Sequence, residues 1–326
     1  MGVFFSYAFI FLISGFLIYL KNEQKQGMLV LVKKKVKSLL FPYIGFSITL
    51  NGIVFIRLKF FHYQSMYLQT MGDFRFNFVK VFSGDGMGTL WFLPALFVGE
   101  ILMLILIKKK NRIAYFVAGG FVVFEIVVVY LKREWIEGIE NHMLHLAILL
   151  LIRWSIAFSF VAIGFISYAI VKKMTECMVR YRIVIAMVAL VINVICGMNN
   201  SVVDMAELKI GNPILFYLSA CSGTVFVIEL CSVIKNEKLI RYMGLNSLLY
   251  MAVECNGSDN KVLEHLWYQV LGLEYNIGFN LYLFVGILLI ESICVCLMKR
   301  ILGWTYNWDS FLAILSRKKK KEMLKK

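Results

Sequence analysis

Five ionisable residues stand inside long apolar runs of the sequence, where a charged side chain is poorly solvated. One is Arg153, and the others are the glutamates Glu100, Glu125, Glu229 and Glu291. Ionisable groups at membrane depth are rare, and they mark functional sites or paired structural sites. Arg153 and Glu100 are therefore candidates for catalysis or binding, with a structural ion pair between helices as the alternative.

Two histidines, His142 and His145, flank the start of the apolar run that contains Arg153. A neutral imidazole with a pKa of about 6.5 can take the proton of an attacking hydroxyl, so either residue could act as a general base. The alternative is an interfacial histidine that is simply solvated. No metal site is expected, because the cysteines form no CxxC pair and no histidine stands at metal-ligand spacing from them.

Membrane helices must position these groups. The chain has 326 residues, of which 60% are hydrophobic and 17% are charged, whereas about 25% of residues are charged in a soluble domain. Its apolar runs approach the roughly 20 residues that cross the hydrocarbon core of a bilayer. We expect an all-α, polytopic membrane helix bundle of about nine transmembrane helices, at residues 3–20, 39–56, 90–107, 113–131, 147–171, 183–198, 213–234 and 278–298 and from Met243. The bundle would form one domain, residues 1–298, followed by a basic interfacial or cytoplasmic tail, residues 299–326.

The basic residues give this bundle a predicted orientation. Net charge is +15, and alternate loops hold 26 of the 35 lysines and arginines, as the positive-inside rule requires of cytoplasmic loops. This pattern predicts a multi-pass protein of the cell (inner, cytoplasmic) membrane with a cytoplasmic C-terminus. Membrane lipids, anionic ones in particular, are the expected partners of these charges. Nucleic-acid binding is not expected, because no soluble segment interleaves a basic stripe with aromatics.

The first apolar run, residues 3–20, has its basic residues after it rather than before it. A signal peptide has the opposite order, with positive charges preceding the apolar run. We therefore expect a retained span that runs from the outside inward. The pattern also predicts that one earlier helix belongs before Met1 in the full helical plan.

Five short motifs follow one another along the chain. They are "FLISGF" (Phe11 to Phe16), "LFPY" (Leu40 to Tyr43), "LWFLPALF" (Leu90 to Phe97), "FVAIGFISY" (Phe160 to Tyr168) and "GLNSL" (Gly244 to Leu248). In this order they resemble the integral-membrane acyltransferase family 3, particularly its fucose 4-O-acetylase-like branch. The resemblance extends over nearly the whole chain and implies about ten core helices with both termini inside.

The resemblance implies an enzyme, a membrane O-acyltransferase that is commonly an O-acetyltransferase. Such an enzyme moves an acyl group from cytoplasmic acyl-CoA, usually acetyl-CoA, to a hydroxyl of a sugar, glycolipid or cell-envelope polysaccharide. It also implies a catalytic histidine near the outer end of a first helix, which has no counterpart here. Ser6, Tyr7 and Ala8 stand where the family's next helix has His-Met-Pro. The catalytic base is thus unassigned, and we expect a truncated or degenerate copy of the family plan.

Further residues take roles from the same resemblance. Lys34 and Lys37 match a basic pair that would bind the phosphates of acyl-CoA, with ordinary positive-inside loading as the alternative. Arg153 could bind a donor phosphate or polarise the transferred carbonyl. Trp91 could line the entrance for the acceptor, or belong to the interfacial aromatic belt.

Two other functions stay open. The first is a transporter or flippase of glycans or lipids, which would be expected to have paired repeats and broken helices that meet at mid-membrane. Neither feature is evident in the sequence. The second is a non-catalytic membrane remnant.

Overall fold

Helices make up nearly all the regular structure of the described residues. The computed structural model describes residues 6–61, 78–86, 88–109, 141–201, 203–234, 238–254 and 277–301, together with residues 138, 139 and 263 and eight positions between 117 and 128. The helices are α1 (Ser6–Leu20), α2 (Met28–Lys35), α3 (Phe41–Phe61), α4 (Phe92–Lys109), α5 (His142–Thr175), α6 (Val179–Asn199), α7 (Pro213–Ile234), α8 (Lys238–Leu245), α9 (Ser247–Glu254) and α10 (Ile277–Ile301). Short 3₁₀ turns occupy Glu23–Lys25 and Gly88–Trp91, and Val36–Leu40 forms a π-helical turn.

The predicted all-α membrane bundle is confirmed. Within the described residues, five helices are long and apolar enough to cross a membrane, and Tyr7–Leu20 is apolar but shorter. The predicted span at residues 113–131 lies mostly outside the described residues. The weak span predicted from Met243 is two short helices, α8 and α9, separated by a turn at Asn246.

The chain divides into two compact units. Residues 1–36 and 92–235 form the first, and residues 37–91 and 236–326 form the second. The predicted division at residue 298 stays a prediction, because most of the basic tail lies outside the described residues.

Small residues let α1 and α5 pack closely in the first unit. A Cβ atom added at Gly164 would overlap the Leu12 carbonyl oxygen, and its next neighbour, the Leu12 carbonyl carbon, would be 2.8 Å away. The reciprocal position, Gly15, would place a Cβ atom against the backbone of Val161. Each helix therefore carries a glycine where the other backbone passes, as is common where membrane helices approach closely.

The α6–α7 hairpin completes the described part of the first unit. Halfway along it, the Asn193 amide donates hydrogen bonds to the Ser219 carbonyl (2.7 Å) and hydroxyl (3.0 Å). Polar contacts of this kind join helices where lipid offers no hydrogen-bond partner. The Phe160 ring of α5 stacks on Tyr217 of α7, with ring centroids 4.8 Å apart.

A glycine turn organises the second unit. Gly86 has a φ of +67°, a conformation that suits glycine, and an added Cβ atom would be 3.1 Å from both the Trp91 nitrogen and the Tyr43 ring. The Tyr43 hydroxyl donates to the Val81 carbonyl at 2.6 Å. These contacts fix the 3₁₀ turn that precedes α4, and Thr89 in that turn donates to the Met251 carbonyl of α9 at 3.2 Å.

Candidate functional site

Four charged residues of the first unit form a connected group, which we call the Glu23 cluster: Glu23, Lys34, Lys35 and Glu100. The Glu23 carboxylate lies 2.7 Å from the Lys34 ammonium and 3.0 Å from that of Lys35. The Lys35 ammonium also donates to Glu100 at 3.1 Å. Lys35 thus bridges the Glu23 carboxylate in the loop and the Glu100 carboxylate of α4. Lys35 and Glu100 are 65 residues apart in the sequence.

Local structure explains how this cluster forms. Asn22, with a φ of +48°, reverses the chain after α1, and the 3₁₀ turn that follows carries Glu23. The helix α2 then brings Lys34 and Lys35 back toward that carboxylate. Lys108, near the end of α4, donates to the Gln26 carbonyl at 2.5 Å and fastens the same loop.

The members of the cluster differ in exposure. Glu23, Lys35 and Glu100 are buried, whereas the side chain of Lys34 is 46% exposed. Burial alone would raise the pKa of Glu23, but the hydrogen bonds from Lys34 and Lys35 outweigh it and hold that pKa below its ordinary value. Glu23 is therefore an anion at neutral pH, and Lys34 is the cation of the cluster that an external anion can reach.

Acid is expected to remove the stabilisation that Glu23 provides. Because the pKa of the folded carboxyl is lowered, its contribution is present above its ordinary pKa of 4.5 and is lost as the pH falls through the folded value. The wild type should exceed Glu23→Gln in thermal stability at neutral pH, and the two should converge in acid below that range. Thermal unfolding in detergent across the pH range tests this. A difference that persists unchanged in strong acid would contradict it.

The two lysines of the predicted basic pair lie in different units of the structure. Lys34 belongs to the first unit and to the Glu23 cluster, whereas Lys37 is exposed in the π-helical turn and belongs to the second unit. Sequence patterns assign no special role to Lys35, yet Lys35 is the buried member of the basic run. Glu23 offered a signal, because it is the one acidic residue between α1 and "KKKVK" in the sequence.

Arg153 donates hydrogen bonds to the loop between α6 and α7. Its Nε atom donates to the Ala206 carbonyl at 3.0 Å, and a terminal nitrogen donates to the same oxygen. The loop is itself ordered, since Asp204 and Lys209 exchange backbone hydrogen bonds of 2.7 and 2.8 Å. Pairing with a backbone carbonyl is a common arrangement for an arginine within a membrane helix. The described contacts therefore favour the structural role of Arg153 over the catalytic one.

Loss of the Arg153 guanidinium is expected to loosen this loop. Hydrogen bonds to a charged group are worth about 1.5–3 kcal/mol, so Arg153→Met should speed amide exchange at Asp204 and Lys209 by about tenfold or more. Hydrogen exchange with mass spectrometry measures this directly. Arg180→Met, at an exposed arginine of α6, is the control. Unchanged exchange in Arg153→Met would show that the loop does not depend on the guanidinium.

The remaining sequence candidates are His142, His145 and Trp91. The helix α5 begins at His142, whose side chain is outside the described residues, and Asn141 caps it by accepting from the Met143 and Leu144 amides. His145 is partly exposed and precedes Arg153 by eight residues, about 12 Å along the helix axis. Trp91 is 2% exposed, so its side chain is packed within the second unit.

A second buried ion pair lies between α6 and α7. The Arg182 Nε atom donates to the Glu229 carboxylate at 3.1 Å, and both residues are buried. Because Glu229 lies in an apolar run, the sequence identifies it as a candidate for a buried charge. Arg182 lies in a predicted basic loop, so the sequence does not distinguish it from its basic neighbours. Among the described residues, no group of three or more His, Cys, Asp or Glu could hold a metal ion.

Comparison with known proteins gives one match. A family model described as an acyltransferase domain, Acyl_transf_3, matches residues 2–317. No curated protein matches the chain, and no solved structure does.

Proposed function

Because the chain belongs to the acyltransferase 3 family of membrane proteins, we propose that it moves an acyl group from cytoplasmic acyl-CoA to a hydroxyl of a sugar or cell-envelope glycan. The observation that carries this proposal is the family match, which extends over residues 2–317. Acetyl-CoA is the donor and an envelope glycan the acceptor that the resemblance implies. The protein would work in the cytoplasmic membrane with its C-terminus inside.

The chemistry proposed is direct acyl transfer. A general base takes the proton of the acceptor hydroxyl, the oxygen attacks the thioester carbonyl, and the bond to sulfur breaks as CoA leaves with a proton. The base is not assigned within the described residues, and His142 and His145 are its weak candidates in this sequence. Arg153 stays a candidate for binding a donor phosphate or polarising the transferred carbonyl, and its guanidinium also donates to the Ala206 carbonyl.

The Glu23 cluster supports the proposed binding of the acyl-CoA donor. Lys34 is half-exposed and lies in a basic segment. Its ammonium can bind a phosphate of the donor when its ion pair with Glu23 opens. Lys35 keeps Glu23 in place through its own ion pairs. Lys37, the other residue of the predicted pair, lies in the second unit.

The test is acyl transfer by purified protein. The chain is reconstituted in lipid nanodiscs and given radiolabelled acetyl-CoA with envelope glycan, alone and fused to any in-frame upstream helix that carries Arg or Lys followed by His. Transfer to glycan is expected from the form that carries the base, with a raised KM for the donor in Lys34→Ala. Lys33→Ala, at an exposed lysine one position away, is the matched control. No transfer by either form would overturn the proposal, and energy-coupled uptake without acylation would identify a transporter.

A further inference from the structure

The second unit contains a slot between α3, α9 and α10. The slot has a volume of about 220 Å³. Its rear wall consists of buried side chains from α3 and α9, namely Phe46, Leu50, Ala252 and Val253, and its rim includes Leu297 of α10, which is 51% exposed. The slot is thus closed at the back and open at one edge.

The lining favours a hydrocarbon ligand. Apart from Cys294, the polar residue in the wall is Thr49, and its hydroxyl donates to the Gly45 carbonyl of the preceding turn at 2.8 Å. The slot therefore presents methyl and methylene groups, and a polar ligand group placed there would lose its hydrogen bonds to water. An alkyl chain meets no such penalty.

Two basic residues follow the last lining residues of the slot in α10. Leu297 and Met298 line the slot, and Lys299 and Arg300 follow at once in the last turn of α10, where both are exposed. The Lys299 ammonium lies 5.2 Å from the centre of the Tyr242 ring, also in the second unit. The positive-inside pattern predicts that this end of α10 faces the cytoplasm. An apolar slot whose lining residues are followed by two exposed cations fits a ligand with an alkyl chain and an anionic head.

The size of the slot sets the length of that chain. An apolar cavity of about 150 Å³ holds a benzene ring of six carbons. In proportion, 220 Å³ corresponds to about eight to nine carbons. An acetyl group would leave most of the slot empty.

We propose that this slot binds the acyl chain of the thioester donor, and that the preferred donor is a medium-chain acyl-CoA of about eight to nine carbons. This inference rests on the proposed function and replaces acetyl with a longer chain. An acyl-CoA matches this arrangement, because its chain is apolar and its head is anionic.

Donor binding tests the proposal without requiring transfer. The full chain in nanodiscs is titrated with octanoyl-CoA, acetyl-CoA and CoA. Each buried methylene contributes about fourfold in affinity, so octanoyl-CoA should bind at least about 100-fold more tightly than acetyl-CoA. Leu297→Trp should close the rim and reduce that ratio to near one. Leu289 is an exposed residue of the same helix that does not line the slot, so Leu289→Trp should leave the affinity ratio unchanged. This control variant also corrects for partition of octanoyl-CoA into lipid.

A labelling experiment on the unmodified protein gives an independent readout. Octanoyl-CoA with a photoreactive group at the chain end should label peptides of α3, α9 or α10, and unlabelled octanoyl-CoA should compete. Labelling confined to other helices would overturn the inference, as would labelling of the slot by a photoreactive phospholipid that octanoyl-CoA fails to displace. Equal binding of all three CoA species would overturn the chain site and leave the proposed donor intact. No binding of any of them would overturn both.

Discussion

Replacing Gly164 with alanine is expected to separate α1 from α5 and to leave most of the protein misfolded. The added Cβ atom would overlap the Leu12 carbonyl oxygen and approach the Leu12 carbonyl carbon to 2.8 Å. Backbone atoms cannot rotate away as a side chain can, so the helices themselves must move. Overpacking a tight interface costs about 1–3 kcal/mol and sometimes more, and we expect the upper end here.

Fluorescence-detected size exclusion of a tagged protein measures the Gly164→Ala effect, as loss of the monodisperse peak and a lower unfolding temperature. Gly197→Ala in α6 is the matched control, because a Cβ atom there meets nothing within 4 Å. It should behave like the wild type or slightly better, since alanine favours helix over glycine. Normal behaviour of Gly164→Ala would mean that α1 and α5 are not in this close contact in the membrane.

The second large effect is expected for Lys35→Met. This change leaves Glu100 buried without its cation and removes one of the two lysines from Glu23. Breaking a buried ion pair by removing one partner costs about 3–5 kcal/mol, because the other charge stays behind in a poorly solvating environment. We expect a marked fall in unfolding temperature and in the yield of folded protein.

The double variant Lys35→Met with Glu100→Leu separates charge from packing. Replacing both partners of a buried pair with apolar groups is often nearly neutral, so the double variant should recover most of the lost stability. Lys33→Met, at an exposed neighbour in the same basic run, should change little. A double variant no more stable than Lys35→Met would show that the loss does not come from the unpaired carboxylate.

The bundle itself could be predicted from the sequence because its signals are local. Apolar runs, loop charges and the prolines at Pro42, Pro94 and Pro213 each depend on a few neighbouring residues. The observed helices follow the predicted spans closely in α1, α7 and α10. The motif "FLISGF" contains Gly15, but nothing in the sequence pairs that glycine with Gly164.

The partners of the charged residues could not be predicted, because they depend on packing between distant segments. Lys35 meets Glu100 across 65 residues, and Arg153 meets Ala206 across 53. Nothing local distinguishes Lys35 from Lys33 or Lys34, since burial of one lysine in a basic run depends on how the helices of the first unit pack. A backbone carbonyl such as that of Ala206 carries no sequence signal at all.

The length of α5 bears on how deep Arg153 lies in the membrane. The helix has 34 residues, about 51 Å at 1.5 Å per residue, whereas the hydrocarbon core is about 30 Å thick. From Arg153 to Lys172 is 19 residues, about 28 Å, and α6 with its 21 residues is about 31 Å long. The spacing of Arg153 and Lys172 therefore matches the thickness of the hydrocarbon core, and we expect the two residues to lie near its opposite faces. The two residues should respond to hydrophobic thickness in opposite ways: in a thicker bilayer Arg153 would have to snorkel toward the headgroups, and in a thinner one α5 would tilt.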